Sequence, residues 1–158
     1  SRFKSYIHDA SGCSRASIQA MVISEHGENM LPLIRFSSIG GIPISEFLSK
    51  EKTQELFDKT KKVAAEVIAL KGATVYAPGN AVASMIDSMK KNKKEVIPVS
   101  AYLDGEYGIS DLCIGVPVVL GSNGIEKIIE LELNEYERKT FDLGVTSVRE
   151  SINLINQK

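Results

Sequence analysis

The sequence predicts a single α+β domain in which antiparallel or mixed sheets pack with long helices. Two observations carry this prediction: long segments repeat apolar residues at helical spacing, whereas residues 97–103 and 129–133 alternate apolar and other side chains. The alternating segments are joined by short turns, and the helical segments are grouped apart from them. With 158 residues, the chain has the length of one domain and can bury a substantial core.

The first part of the chain predicts a helix followed by two strands. Residues 2–11 are interpreted as the end of a helix that Gly12 closes. Residues 17–23 are rich in apolar side chains and predict a strand that leads into a turn at His26. Residues 31–37 predict a second strand, paired back on the first.

Two amphipathic helices are expected in the middle of the chain. Residues 53–71 show the clearest helical spacing, and Gly72 is expected to end that helix. Residues 78–91 predict the second helix. The apolar positions that define them are Leu56, Phe57, Val63, Ala64, Val67 and Ile68 in the first helix and Val82, Met85, Ile86 and Met89 in the second.

The last third of the chain predicts strands and a closing helix. Alternation over residues 97–103 indicates a half-buried strand, and two further strands are expected at 110–120 and 126–133. Asn134 and Glu137 have the spacing of a capping box, in which each side chain binds the backbone N–H of the other. The apolar stripe of the helix that follows is Phe141, Val145, Val148, Ile152 and Ile155.

Composition excludes several classes of protein. Hydrophobic residues make up 43% and charged residues 25% of the chain, which is ordinary for a folded domain. The net charge of −1 gives no general attraction to nucleic acid or to anionic lipid, so we expect neither as a partner. No apolar run reaches the ~18 residues of a membrane span, so no membrane partner is expected. The four lysines within residues 90–94 are expected to balance a helix end rather than to form a binding patch.

The two cysteines indicate neither a disulfide framework nor a metal site. Cys13 and Cys113 have no CxxC partner and no histidine at metal-binding spacing. A reduced compartment is the simpler inference, and we expect a cytoplasmic location.

His26 is the strongest candidate for chemistry. It stands between Glu25 and Gly27, just after an apolar segment. An unperturbed pKa of ~6.5 lets a histidine exchange a proton near neutral pH, which suits a general acid or base. The alternative is a turn or hydrogen-bonding role. The other histidine, His8, has no glycine turn beside it and is expected at the surface.

Residues 24–33 resemble a motif of the lactate/malate dehydrogenase family. That motif commonly reads Gly-Glu-His-Gly-Asp-x-Met-Val-Pro-Leu, and the chain reads Ser-Glu-His-Gly-Glu-Asn-Met-Leu-Pro-Leu. The opening Ser1-Arg2-Phe3 is similar to the end of the family's Leu-Asp-Ser-x-Arg-Phe motif, and residues 71–78, 102–109 and 115–125 resemble later family segments in the same order. Residues 38–44 lean toward the malate-acting branch that is lactate dehydrogenase-like.

The resemblance implies that residues 1–158 are the C-terminal, substrate-binding and catalytic domain of a two-domain enzyme. A Rossmann domain of this family carries a Gly-x-Gly-x-x-Gly loop, and the chain contains none. The N-terminal NAD(P)-binding domain is therefore expected outside this sequence. The aspartate that pairs with the catalytic histidine is also expected before Ser1.

The resemblance also implies roles for four residues. His26 is expected to be catalytic, as the general base for the substrate hydroxyl and the general acid for the carbonyl. Arg2 is expected to bind the substrate carboxylate through two parallel N–H···O bonds. Thr74 matches a position beside the substrate, or else it caps a helix entry. Pro78 matches a position against the nicotinamide of the cofactor, or else it is a first-turn helix proline.

The implied activity is interconversion of (S)-malate and oxaloacetate with NAD or NADP, in a homodimer or homotetramer. Two alternatives stay open: an L-lactate dehydrogenase domain acting on lactate and pyruvate, and a non-catalytic oligomerisation or binding domain. In either enzyme the substrate is a small 2-hydroxy or 2-oxo acid. The isolated domain is expected to be inactive.

Overall fold

The computed structural model describes residues 2–72 and 74–156 of the chain. The described helices longer than one turn are α1 (Arg2–Ser11), α2 (Lys50–Lys71), α3 (Tyr76–Lys90) and α4 (Glu135–Asn156). The described strands are β1 (Ile18–Gln19), β2 (Val22–Ile23), β3 (Leu31–Pro32), β4 (Ser38–Ile39), β5 (Ile42–Pro43), β6 (Glu95–Asp104), β7 (Ser110–Gly121) and β8 (Gly124–Ile128). The predicted α+β class is confirmed.

These elements form two compact units. The first unit comprises the described residues among 2–21 and 32–82, and the second comprises residues 22–31 and 83–156. The chain thus enters the second unit at β2, returns to the first at Pro32, and changes unit again within α3. The prediction of a single domain did not include this division.

The core of the first unit lies between α1 and α2. Phe3 and Phe57 meet edge to face with their ring centroids 5.8 Å apart, and both side chains are buried. Ile7 and Ile18 are fully buried in the same unit. Strands β1, β4 and β5 form a small antiparallel sheet in the order β1-β4-β5.

Helix α2 confirms the predicted end at Gly72. That glycine has φ 76°, and its N–H donates to the carbonyl oxygen of Ile68 at 2.7 Å. The helix begins three residues earlier than predicted because Ser49 caps it, accepting from the N–H of Lys52 at 3.2 Å. Leu56 and Phe57 are buried as predicted, whereas Ile68 is 50% exposed.

The second unit is built on a three-stranded antiparallel sheet in the order β6-β7-β8. Strands β6 and β7 pair along most of their length, with Val99 opposite Val116 and Leu103 opposite Leu112. These side chains are buried, so the alternation predicted for the first strand is confirmed. Phe141 of α4 is fully buried with its ring centroid 5.1 Å from that of Tyr107.

Helix α4 begins with the predicted capping box. The N–H of Glu137 donates to Asn134 Oδ1 at 2.9 Å, and the N–H of Asn134 donates to Glu137 Oε2 at 3.0 Å. Phe141 and Val145 of the predicted stripe are buried. Ile155, near the end of the helix, is 73% exposed, so the stripe is buried only in its first half.

The single strand predicted at residues 17–23 is wrong. It is two strands in different sheets, because β1 pairs with β4 in the first unit whereas β2 pairs with β3. The predicted strand at 31–37 stops at Pro32, and a single helical turn over Ile34–Phe36 follows. Ser37 closes that turn by donating its hydroxyl to the carbonyl oxygen of Leu33 at 2.9 Å.

The strand predicted at 126–133 ends earlier in the structure, at Ile128. Beyond β8, the side chain of Tyr107 forms hydrogen bonds with the backbone. Its hydroxyl donates to the carbonyl oxygen of Ile129 at 2.7 Å and accepts from the N–H of Leu131 at 3.0 Å. These two hydrogen bonds satisfy backbone groups of residues 129–131 that a neighbouring strand would otherwise pair.

The lysine cluster lies at the end of α3, as predicted. Lys91 and Lys93 both form ion pairs with Asp87, at 2.6 and 2.8 Å, and Lys94 lies 3.5 Å from Glu126. Neighbouring acids therefore balance this part of the surface. Among the described residues, no helix combines the length and the apolar character that a membrane span requires.

Candidate active site

The loop that carries His26 starts from the edge of strand β7. The N–H of Ser24 donates to the carbonyl oxygen of Gly115 at 2.8 Å, and the N–H of Gly115 donates back to the Ser24 carbonyl at 3.2 Å. Ser24 directly follows β2, and this antiparallel bridge places it beside β7. A Cβ at Gly115 would lie 2.6 Å from the Ser24 carbonyl oxygen, so the close approach requires glycine.

Ser24 has an unusual backbone and an unusual side chain. Its φ is 75°, in the left-handed region that favours glycine, and the family motif has glycine at this position. The residue is 6% exposed. Among the residues that the structure describes, its hydroxyl is the one buried side-chain oxygen or nitrogen without a hydrogen-bond partner. A Cβ at Gly144 of α4 would overlap this hydroxyl, so the two residues are closely packed.

Glu25 folds its carboxylate back over the loop. Asn29 donates its side-chain amide to Glu25 Oε2 at 3.0 Å, and the backbone N–H groups of Glu28 and Asn29 and the hydroxyl of Ser147 also bind the carboxylate. Burial raises the pKa of this carboxyl, but the hydrogen bonds outweigh that effect and leave the pKa below its ordinary value. Glu25 is therefore a charged clamp across the turn.

His26 itself is exposed, one residue beyond this clamp. Gly27 follows it, where a Cβ would overlap the Glu25 carboxylate, and the N–H of Met30 donates to the Gly27 carbonyl at 3.4 Å to close the turn. A side chain at position 27 would therefore push the Glu25 carboxylate out of this position. An exposed imidazole on an anchored turn can accept or donate a proton at a bound molecule.

Arg2 is the first described residue of α1 and is half-buried in the first unit. Its neighbour Phe3 is 3% exposed and fixes the start of the helix in the core. On the same helix, His8 is half-buried rather than at the surface, with its ring Nδ1 2.7 Å from the carbonyl oxygen of Cys13. This contact gives His8 a role in closing the helix end.

Thr74 and Pro78 flank the start of α3. Thr74 is half-buried between α2 and α3, and its neighbour Ala73 lies outside the described residues. Pro78 is exposed in the first turn of the helix, where its missing N–H costs no hydrogen bond. The N–H of Gly79 donates to the carbonyl oxygen of Val75 at 3.0 Å. Pro78 thus presents an uncovered apolar ring.

The predicted site residues are divided between the two units. Arg2, Thr74 and Pro78 belong to the first unit, whereas His26 belongs to the second. Two open clefts in the second unit, both lined by Arg138, do not include His26. No group of three or more histidine, cysteine or acidic side chains able to hold a metal occurs within residues 2–72 and 74–156. Cys13 and Cys113 are free thiols.

Sequence reasoning missed the residues that hold the loop. The contacts of Ser24 with Gly115 and Gly144, and of Glu25 with Ser147, join segments that are far apart in the chain. One signal was available: position 24 departs from the glycine of the motif.

Comparison with known proteins gives a consistent result over the whole chain. The family model described as the lactate/malate dehydrogenase, alpha/beta C-terminal domain matches residues 1–158. Malate dehydrogenase 1 of Anaeromyxobacter dehalogenans is 42% identical over 153 residues, which cover 96% of this chain and 49% of that protein. Malate dehydrogenase of Thioalkalivibrio sulfidiphilus is 43% identical over 155 residues, covering 97% and 50% respectively.

Solved structures show the same relationship. Malate dehydrogenase from Salinibacter ruber superposes with a TM-score of 0.94 at 36% identity, covering 99% of this chain and 52% of that one. Lactate dehydrogenase from Eimeria maxima, solved with NADH and oxamate, superposes with a TM-score of 0.93 at 38% identity. The match covers 99% of this chain and 51% of that one. The chain therefore spans about half the length of the relatives that it matches.

Proposed function

Because this chain belongs to the lactate/malate dehydrogenase family, we propose that it is the C-terminal, catalytic half of a malate dehydrogenase. The proposed reaction interconverts (S)-malate and oxaloacetate. The observation that carries the proposal is the exposed His26 on a turn that β7 and the Glu25 carboxylate hold in place. The names of the relatives support malate as the substrate.

His26 is proposed as the general acid and base. In malate oxidation its neutral imidazole takes the proton of the substrate hydroxyl as the carbon loses hydride. In oxaloacetate reduction the imidazolium returns the proton to the carbonyl oxygen, and its charge stabilises the developing alkoxide. The exposure of the side chain and the anchored backbone before it suit both directions.

Arg2 and Thr74 are proposed to bind the substrate. The planar guanidinium of Arg2 matches a carboxylate with two parallel hydrogen bonds, a geometry that lysine lacks. The burial of Phe3 restrains the backbone of Arg2, so less conformational freedom is lost on binding. Thr74 offers a small hydroxyl-bearing side chain on the segment between α2 and α3.

A nicotinamide cofactor, NAD or NADP, would supply the hydride acceptor in this chemistry. The residues present fit such a group, because Pro78 and Val75 expose apolar surface against which a planar ring can pack. The chain carries no Gly-x-Gly-x-x-Gly loop, so we propose that an N-terminal domain binds most of the cofactor and selects between NAD and NADP. On this proposal residues 1–158 alone have negligible turnover.

We also propose that the complete enzyme is a homodimer or homotetramer. The second half of α2 exposes Ile68 and Leu70, at 50% and 84%, and the end of α4 exposes Leu154 and Ile155, at 67% and 73%. Exposed apolar side chains that lie close together are typical of surfaces that another subunit covers. Light scattering on the purified enzyme, which gives its molar mass in solution, tests this proposal.

The test of function is steady-state oxidation of NADH and NADPH by the complete enzyme, with oxaloacetate and pyruvate in turn. The wild type is compared with His26→Ala and with His8→Gln, which changes the other histidine of this chain. Two results together support the proposal. The enzyme strongly prefers oxaloacetate, and His26→Ala loses most of kcat whereas His8→Gln keeps it.

Other outcomes of that test are equally decisive. A preference for pyruvate moves the protein to the lactate-acting branch and keeps the mechanism. Activity that survives His26→Ala overturns the role of His26, and no activity with either acid favours a non-catalytic module.

A further inference from the structure

One face of helix α4 holds the two residues that precede His26. A Cβ at Gly144 would overlap the hydroxyl of Ser24 and would lie 3.3 Å from the backbone nitrogen of Glu25. Three residues further along α4, Ser147 donates its hydroxyl to the Glu25 carboxylate. Residues at this spacing share a face of a helix, so one surface of α4 makes both contacts.

Strand β7 holds the same two-residue segment through backbone hydrogen bonds to Ser24. Both polar backbone groups of Ser24 are paired with Gly115, at 2.8 and 3.2 Å. With Ser24 6% exposed and its hydroxyl packed against Gly144, the residue cannot shift without breaking contacts on two elements. Glu25 is the only residue between Ser24 and His26, so a displacement of Ser24 reaches the imidazole directly.

We infer that α4 positions the general acid and base: Gly144 and Ser147 seat the backbone of residue 24 and the carboxylate of Glu25, just before His26. The inference rests on the proposed function of His26. The hydroxyl of Ser24 fills the space in front of Gly144. A Cβ at position 144 must therefore displace that hydroxyl, and it would crowd the backbone nitrogen of Glu25, the residue before His26.

The test is a double-mutant cycle in the complete enzyme with Gly144→Ala, Ser24→Gly and both together. Gly144→Ala is expected to lower kcat by at least about tenfold, since misplacing a catalytic group by about 1 Å can cost ~10²-fold. Ser24→Gly removes the obstructing hydroxyl and is expected to keep kcat within about threefold of wild type and to restore most of the loss in the double variant.

The readouts separate positioning from stability. The kcat and KM of each variant are measured beside the pH profile of kcat/KM and the thermal midpoint. A merely structural role would lower the midpoint and leave the kcat of folded enzyme and its pH profile unchanged. A kcat of Gly144→Ala equal to wild type, or a double variant no more active than Gly144→Ala, overturns the inference.

A second variant covers the case in which Gly144→Ala does not fold. Ser147→Ala removes only the hydrogen bond to Glu25 and is expected to lower kcat several-fold. Thr146→Ala is the matched control on the same turn, because Thr146 is exposed and its hydroxyl binds the Asp142 carbonyl of its own helix at 3.0 Å. Thr146→Ala is expected to keep the kcat of wild type. If Ser147→Ala keeps it as well, the inference is overturned.

His26→Ala, assayed in parallel, distinguishes the two proposals. If it loses most of kcat while the α4 variants keep theirs, His26 is catalytic and only the positioning inference falls. If it keeps its kcat, the proposed function falls, and the positioning inference falls with it.

Discussion

Ser24 and Gly115 exchange two backbone hydrogen bonds, and this bridge fastens the His26 loop to strand β7. Strand β8 pairs with β7 over Val118–Gly121, and the N–H of Ile129 then donates to the Pro117 carbonyl, so the edge beside Gly115 is open to Ser24. The candidate general base therefore follows a segment that is part of a sheet, although the histidine itself lies on a turn.

Gly115→Ala is expected to destabilise the protein and to weaken catalysis. The new Cβ would lie 2.6 Å from the carbonyl oxygen of Ser24, a backbone atom that cannot move without breaking the bridge. We expect a loss of about 1–3 kcal/mol in the free energy of unfolding, measured by urea denaturation. Ser100→Ala, at the exposed position opposite Gly115 on β6, is the control and should change little. An unchanged midpoint for Gly115→Ala would contradict the prediction.

Ser24→Gly is expected to stabilise the fold. A side chain in the left-handed region costs about 1–2 kcal/mol, which exceeds the roughly 0.5–1 kcal/mol of extra freedom that glycine gives the unfolded chain. The change also removes a buried hydroxyl that has no hydrogen-bond partner. Ser24→Ala removes the hydroxyl but keeps a Cβ at positive φ, so its thermal midpoint should lie below that of Ser24→Gly. The reverse order would refute the assignment of strain.

Glu25→Gln is expected to flatten the acid dependence of stability. The pKa of Glu25 is lower in the folded protein than its ordinary value of 4.5, so its contribution is fully present above that value. As the pH falls through the folded-state pKa, the carboxylate takes up a proton and the contribution disappears. Urea unfolding at several pH values between 7 and 3 should therefore show wild type losing more stability than Glu25→Gln. Glu46→Gln, at an exposed position of a single-turn helix, is the control. Parallel curves for wild type and Glu25→Gln would contradict the contribution of the Glu25 carboxylate.

Tyr107→Phe is expected to cost about 1–3 kcal/mol of stability, because it removes two hydrogen bonds to half-buried backbone groups, each worth roughly 0.5–1.5 kcal/mol. Those groups are the carbonyl oxygen of Ile129 and the N–H of Leu131. Tyr102→Phe is the matched control, since Tyr102 is 56% exposed and its hydroxyl lies 3.4 Å from Asp111. Chemical denaturation of both variants gives the difference, and equal stabilities would show that the Tyr107 hydroxyl contributes nothing.

Several features were predictable from the residues alone because they depend on local chemistry. The capping box of Asn134 and Glu137 uses partners three residues apart, and the end of α2 at Gly72 follows from the freedom of glycine to adopt positive φ. The alternation of β6 records which of its faces is buried. The motif around His26 identified the candidate base and, through the family resemblance, its chemistry.

The tertiary structure decided what depends on distant partners. Residues 17–23 have the pattern of one strand, yet the chain changes unit within them, because Ile18 pairs with Ile39 while Ser24 pairs with Gly115. No local pattern records such pairings. They arise from the packing of the complete chain, which also overrides the preference of Ser24 for negative φ and places Gly144 and Ser147 against the segment before His26. The sequence by itself thus determined which residue is the candidate base, and only the tertiary structure decided what holds it in place.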